Sequence, residues 1–284
     1  MIRDITIGQY YPGESWVHKL DPRLKIIVTL VFIVALFLVK DFVGYIVAVA
    51  ALGIVIGVSK VPLRFMLRGL KAIFIIIIFT FVLNMFMTGG TEMIRLGPIA
   101  ITYEGLYRAF FMGLRLVLLI IGSSLLTLTT KPVKLTDGME SLLGPFKAIG
   151  LPAHELAMMM TIALRFIPTL LEETDKIMKA QMARGADFES GSVFRRAKNM
   201  IPILVPLFVS AFRIAQDLAM AMEARCYRGG EGRTKLHELK FKKRDLAAAL
   251  LTCLFLALII QEQNIMAALM PTLASLASNL AGAL

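Results

Sequence analysis

Cysteine and histidine are scarce in this 284-residue chain: there are two cysteines, Cys226 and Cys253, and three histidines, His18, His154 and His237. The cysteines fall in a charged segment and in a hydrophobic run without metal-ligand spacing, so no disulfide or thiolate metal site is expected. The histidines are far apart in sequence. His154-Glu155 opens the helical pattern His-Glu-x-x-His, but the residue four beyond the histidine is Met158, which removes the second zinc ligand. No G-x-x-x-x-G-K-[ST] run is present either, so the chain cannot cradle nucleotide phosphates with that loop. If ATP drives it, another polypeptide hydrolyses the ATP. No nucleophile has a recognisable base partner, and neither a catalytic residue nor a metal ligand is assigned.

Charge is also sparse, at 18% of residues, while 57% are hydrophobic. Several charge-free runs approach membrane length, which is the composition of a polytopic membrane protein. A net charge of +11 would suit a nucleic-acid partner if it formed one exposed block. The basic residues instead flank apolar runs, as positive-inside topology requires, so lipid bilayer and not nucleic acid is the expected partner. Charges of both signs precede the first apolar run, from Arg3 to Lys25. That is not a cleavable signal pattern, and the run is expected to be retained as a span.

Hydropathy divides the chain into residues 1–130, a membrane part with four spans; 131–245, long cytoplasmic or interfacial helices; and 246–284, a last span and an apolar tail. The first run, Ile26 to Val39, is short, and Lys25 and Lys40 are expected to snorkel at its ends. A tight hairpin at Lys40-Asp41 leads into Phe42 to Val58. The next loop, Ser59 to Lys71, holds Lys60, Arg64, Arg68 and Lys71 with no acid, so it should be cytoplasmic. A third span, Ala72 to Thr88, a loop through Glu104 and a fourth span, Leu106 to Thr130, leave the N-terminus inside. Arg115 and Asn84 are unusual within spans; Arg115 is open to a functional or a structural reading. The Gly122-Ser123-Ser124 cluster invites close approach by another helix, internal or from a second membrane protein.

Residues 131–245 carry 19 Lys/Arg against 13 Asp/Glu and include the apolar runs Leu156 to Leu171 and Met200 to Phe212. Were these to cross the membrane, the basic segment between them would face outward. They are therefore read as amphipathic helices along the cytoplasmic interface. Pro168, Pro202 and Pro206 are hinge or kink candidates within them. The fold expected is all-α, with about five transmembrane helices plus these long helices. The tail from Ile265 to Leu284 reads as a weak sixth span or as an interfacial helix.

Two short stretches end the long helices: Ala183-Arg184-Gly185 and Ala224-Arg225-Cys226, 41 positions apart. Ile177, Ala180, Gln181 and Arg184 align with Leu218, Ala221, Met222 and Arg225, and the shared spacing places each set along one helical face ending in arginine. An arginine at a helix C-terminus suits the dipole, and its planar fork can grip a carboxylate or carbonyls on a partner. Two equivalent plugs imply two equivalent sockets. Gly185 is free to take the left-handed conformation that ends a helix, whereas Cys226 carries a steric cost there, so Gly229-Gly230 offers an alternative closure for the second.

The opening Gly8-Gln9-Tyr10-Tyr11-Pro12-Gly13-Glu14-Ser15, followed by His18-Lys19-Leu20-Asp21-Pro22-Arg23-Leu24-Lys25, resembles the transmembrane T component of energy-coupling factor (ECF) transporters, the EcfT/CbiQ family. Leu151-Pro152-Ala153-His154-Glu155-Leu156, Arg165-Phe166-Ile167-Pro168, Met182-Ala183-Arg184-Gly185 and the segment from Met222 to Gly232 extend the resemblance over nearly the whole chain. It implies a scaffold in the cell membrane that joins two cytoplasmic ABC ATPases to a small membrane S component binding a vitamin or metal substrate. It further implies that the two Ala-Arg-Gly motifs end coupling helices inserted in grooves of the ATPases. That role carries over onto Ala183, Arg184 and Gly185 and onto Ala224 and Arg225; the family usually has Gly where this chain has Cys226. ATP and Mg would be used by the partner ATPases, and no cofactor would be bound by this chain. Glu172-Glu173-Thr174-Asp175-Lys176 looks like the form shared among several S components. The competing reading, a self-sufficient secondary carrier or channel, requires internal two-fold repetition of spans, and the hydropathy shows none.

Overall fold

The computed structural model describes residues 10–39, 41–96, 99–188, 192–229 and 239–281. Among the described residues the chain is all-α apart from one short hairpin. Its helices are α1 (Pro22–Leu38), α2 (Phe42–Ser59), α3 (Leu63–Met87), α4 (Tyr103–Thr129), α5 (Pro132–Leu143), α6 (Ala153–Ala183), α7 (Val193–Ala224) and α8 (Lys243–Ala281), with a 3-10 turn at Gly144–Ile149. Strands β1 (Glu92–Leu96) and β2 (Ile99–Thr102) pair antiparallel between α3 and α4. Hydropathy alone predicts only a loop there.

Among the described residues, five helical stretches are long and apolar enough to cross a membrane: Phe42–Ser59, Tyr103–Thr129, Ala153–Ala183, Lys198–Ala224 and Lys243–Glu262. A sixth arises if the two halves of α3, bent by 64°, count as one span. The number agrees with expectation but the membership differs. α6 and most of α7 qualify by length and composition, while α1, at 17 residues, spans only about 26 Å of a hydrocarbon core about 30 Å thick. α8 continues as helix to Ala281, well beyond its candidate span.

The chain forms two compact units, one of residues 10–138 and 239–284 and one of residues 139–238. In the first, α1, α2, α4 and α8 enclose a core of Ala35, Leu36, Val39, Tyr45, Ala48, Leu52, Phe111, Leu118 and Ile259. α3 packs along α4. Gly122 faces Phe32 so closely that a Cβ would stand 2.7 Å from its ring, and Gly69 meets Ser124. The small-residue cluster thus serves internal neighbours, α1 and α3.

Polar groups lock this unit together. Lys25 does not snorkel: it is buried, and its ammonium donates to the Thr129 carbonyl at 3.0 Å, Thr130 Oγ1 at 3.2 Å and the His18 carbonyl at 3.4 Å. Three donors meet three acceptors, so burial leaves none unpaired. Lys40 lies outside the described residues. The Asp245 carboxylate accepts from the backbone N–H groups of Asp21 (2.8 Å) and Lys242 (2.7 Å), tying the start of α8 to the start of α1. Before α1, His18 Nε2 donates to the Tyr11 carbonyl at 3.1 Å, and its Nδ1 lies 2.6 Å from Ser15 Oγ. Burial pushes the His18 imidazole below its usual pKa, so the neutral ring accepts from the serine hydroxyl.

The second unit is built differently. α6 and α7 pack on each other, yet among their described residues only Ala153, Ala157 and Ile203 are buried apolar side chains. Both helices run unbroken through Pro168, Pro202 and Pro206. Each proline deprives a carbonyl four residues earlier of its helical donor. Pro206 so frees the Pro202 carbonyl, and Gln181 Nε2 of α6 donates to it at 3.4 Å.

Candidate functional site

The site grows from two helix ends. At the end of α6, the Gly185 N–H donates to the Met182 carbonyl and the Ala186 N–H to the Gln181 carbonyl, both at 3.0 Å, with Gly185 at φ +88°. That paired arrangement is the Schellman motif, with Arg184 as the C-cap. At the end of α7, the Cys226 N–H donates to the Glu223 carbonyl at 2.8 Å and the Tyr227 N–H to the Met222 carbonyl at 3.0 Å, with Cys226 at φ +55°. The helix therefore closes at Cys226, not at Gly229-Gly230, and Gly230 lies outside the described residues. Two hydrogen bonds hold the cysteine in a conformation that costs a residue with a Cβ about 1–2 kcal/mol.

Equivalence extends along both helices. Ile177 and Leu218 are half-buried; Ala180 and Ala221 are exposed; Gln181 and Met222 are half-buried; Ala183 and Ala224, Arg184 and Arg225, and Gly185 and Cys226 are exposed. Neither arginine has a hydrogen-bond or ion partner within the chain among the described residues. Each guanidinium is thus a free five-donor fork held at a fixed helix terminus. The amide of Gln181, grouped by sequence with the exposed faces, is spent on the Pro202 carbonyl of α7.

Each end is braced by the other helix. Asn199 Nδ2 of α7 donates to the Asp187 carbonyl just past Gly185, at 2.6 Å, and the Tyr227 hydroxyl donates to Met158 Sδ of α6 at 3.0 Å.

A profile of the CbiQ family, described as cobalt transport protein, matches residues 13–236. The chain is 61% identical over 254 residues to the energy-coupling factor transporter transmembrane protein EcfT of Thermosediminibacter oceani, covering 88% of this chain and 95% of that one. It is 62% identical over 252 residues to the EcfT of Clostridium kluyveri (88% and 93% covered), and 51% identical over 250 residues to that of Bacillus subtilis (86% and 93%). The chain belongs to the EcfT/CbiQ family.

As a family member it is a multi-pass membrane protein and the transmembrane component of an energy-coupling factor transporter, a complex with further components. Three polar residues singled out by sequence in this EcfT/CbiQ chain, Arg115, Asn84 and His154, are used internally. Arg115 donates from Nε to the Tyr45 hydroxyl at 3.0 Å and from Nη2 to the Val39 carbonyl at 2.9 Å, and it lies over the Phe37 and Tyr45 rings. Val39 is the C-cap of α1, so the intramembrane cation satisfies a helix terminus. Asn84 donates to the Thr80 carbonyl one turn back. His154 Nδ1 lies 2.9 Å from Glu140 Oε1, bracing the first turn of α6 on α5. Among the described residues no group of three or more His, Cys, Asp or Glu is placed to hold a metal ion; His237 lies outside them. The arginine-ended helices are legible in sequence. The interhelical bonds of Gln181, Asn199 and Tyr227 are not, because they join positions 12 to 69 residues apart.

Proposed function

We propose that this chain is the non-catalytic coupling subunit of an ECF-type importer in the cell membrane. Arg184 and Arg225 dock in grooves of two cytoplasmic ABC ATPases, and the exposed faces of α6 and α7 pass ATP-driven displacement to an S component that carries a vitamin or other micronutrient. ATP and Mg are used by the ATPases, and this chain binds no cofactor. The N-terminus and the two arginine ends face the cytoplasm. The observation that carries this reading is the repetition, at an offset of 41 residues, of one capped terminus, one exposure pattern and one unpartnered arginine. Identical devices suit identical partners, as in a dimer of nucleotide-binding subunits.

α6 and α7 are apolar enough to cross a membrane, but crossing would set Lys176, Lys179, Arg184 and Lys198 on the side opposite the other basic loops. An interfacial course keeps all of them in the cytoplasm. Cys226, exposed at the second tip, tests this directly. A membrane-impermeant maleimide should spare it in intact cells and label it once the membrane is opened. Labelling from outside would overturn the topology. Pull-down of the full chain should bring down two nucleotide-binding subunits, and Arg184→Ala or Arg225→Ala should reduce their recovery. Normal recovery and transport in both variants would remove the arginines from the coupling role and leave the secondary-carrier reading standing.

A further inference from the structure

The first half of α3, Leu63–Lys71, leaves the axis of its second half, Ile73–Met87, by 64°. It follows directly on the candidate span α2, so it lies where the chain meets the membrane surface. Its two faces are unlike. Inward, Met66 is fully buried beside Val61, Leu125 and Leu128, and a Cβ on Gly69 would stand 3.2 Å from Ser124 Oγ of α4. Outward, Arg64, Arg68 and Lys71 follow at steps of four and three, which places them on one stripe. Lys60, the left-handed C-cap of α2 at φ +55°, adds a fourth cation. All four are exposed, and none is ion-paired among the described residues. No Asp or Glu occurs between Asp41 and Glu92. Beside the stripe, Leu63 and Leu67 are 58% and 54% exposed.

Positive-inside topology explains cations in a loop but asks for no helical stripe and no adjoining leucines. An acidic protein surface would match the charge, yet it would gain little from two leucines beside the stripe. A helix anchored on one side, basic on the other, edged by aliphatic side chains and set at the bilayer boundary has the features of an interfacial lipid contact. We propose that the outward face of Leu63–Lys71, with Lys60, is a docking surface for the headgroups of anionic phospholipids, Leu63 and Leu67 dipping into the acyl boundary.

Native mass spectrometry of the full chain in detergent, titrated with phosphatidylglycerol against phosphatidylcholine, tests the proposal. Membrane-surface attraction of about fivefold per cation predicts that the wild type prefers phosphatidylglycerol by roughly tenfold or more after screening. Replacing Lys60, Arg64, Arg68 and Lys71 together by Gln should abolish the preference, while Arg64→Lys with Arg68→Lys should keep it. Should the Gln variant fold poorly, salt on the wild type gives the same answer, because the preference must fall as the Debye length shrinks from about 10 Å to about 3 Å between 0.1 M and 1 M. Equal retention of the two lipids, or a preference indifferent to both charge and salt, overturns the proposal. So does a Gln variant that loses nucleotide-binding subunits with no change in lipid preference, since the face would then be a protein site.

Discussion

The ends of α6 and α7 share a backbone and differ in how it is stabilised. Both close with the same two hydrogen bonds and present an exposed arginine at the cap. At α6 the left-handed position is a glycine, which adopts it without steric cost. At α7 it is Cys226, held at φ +55° against its own Cβ. The bracing differs as well: an asparagine amide on a backbone carbonyl secures the first end, and a tyrosine hydroxyl on a thioether secures the second. A sulfur acceptor is weaker than a carbonyl oxygen, so these two bracing bonds differ in strength. Placement of the arginine therefore depends on the cap hydrogen bonds, not on the identity of the residue that follows.

The largest test of this equivalence removes the arginines. If each fork sits in a buried charged contact, Arg184→Ala and Arg225→Ala should each weaken binding of the nucleotide-binding subunits by about 2–5 kcal/mol, read as the amount co-eluting at fixed concentration. Equal losses sharpen the comparison, whereas a loss confined to one variant would mean one socket dominates. A smaller effect follows from the left-handed positions. Gly185→Ala should lower stability by about 1 kcal/mol and Cys226→Gly should raise it by a similar amount, measured by thermal melting of the purified chain. Melting points that move together in one direction would show that the two caps are not alike.

Much of this plan is legible in the order of residues alone. The charge-free runs mark α2, α4 and α8, and the repeated alanine-arginine pair marks the ends of α6 and α7. Legibility fails where a side chain answers to a distant partner. Lys25 reads as a snorkelling residue at the edge of an apolar run, but it is buried because Thr129, Thr130 and the His18 carbonyl, remote in sequence, gather around its ammonium. Arg115 is open between two roles until the C-terminal end of α1 is seen to lie beside it. Cys226 is a poor helix terminus on propensity alone, and the two cap hydrogen bonds decide otherwise. Proline at 168, 202 and 206 suggests hinges; helix continues on both sides of each, and at Pro206 the freed carbonyl takes a donor from Gln181 of the other helix, a partner invisible in sequence.

Acidification should act on the unit that holds His18. His18 has a lowered folded pKa, so its contribution to stability is fully present above the unfolded value of about 6.5 and is lost as pH falls through the lowered one. Melting points should drop below pH 6.5 in the wild type and drop less in His18→Gln. An unchanged slope in that variant would assign the acid sensitivity elsewhere.

The subtlest prediction concerns Gln181, the one position where the two faces differ in use. Its partner in the alignment, Met222, has no amide, and only Gln181 reaches across to the Pro202 carbonyl that Pro206 leaves without a helical donor. At 3.4 Å and exposed, the bond is long, and its loss should cost about 0.5 kcal/mol, the low end for a net hydrogen bond. Gln181→Met makes the α6 face a copy of the α7 face while removing that bond. If the amide serves only to join α6 to α7, the variant should melt slightly earlier yet bind the nucleotide-binding subunits as before. A clear fall in binding with unchanged melting would instead place the amide in the socket, and the two faces would differ in what they recognise as well as in how they are held.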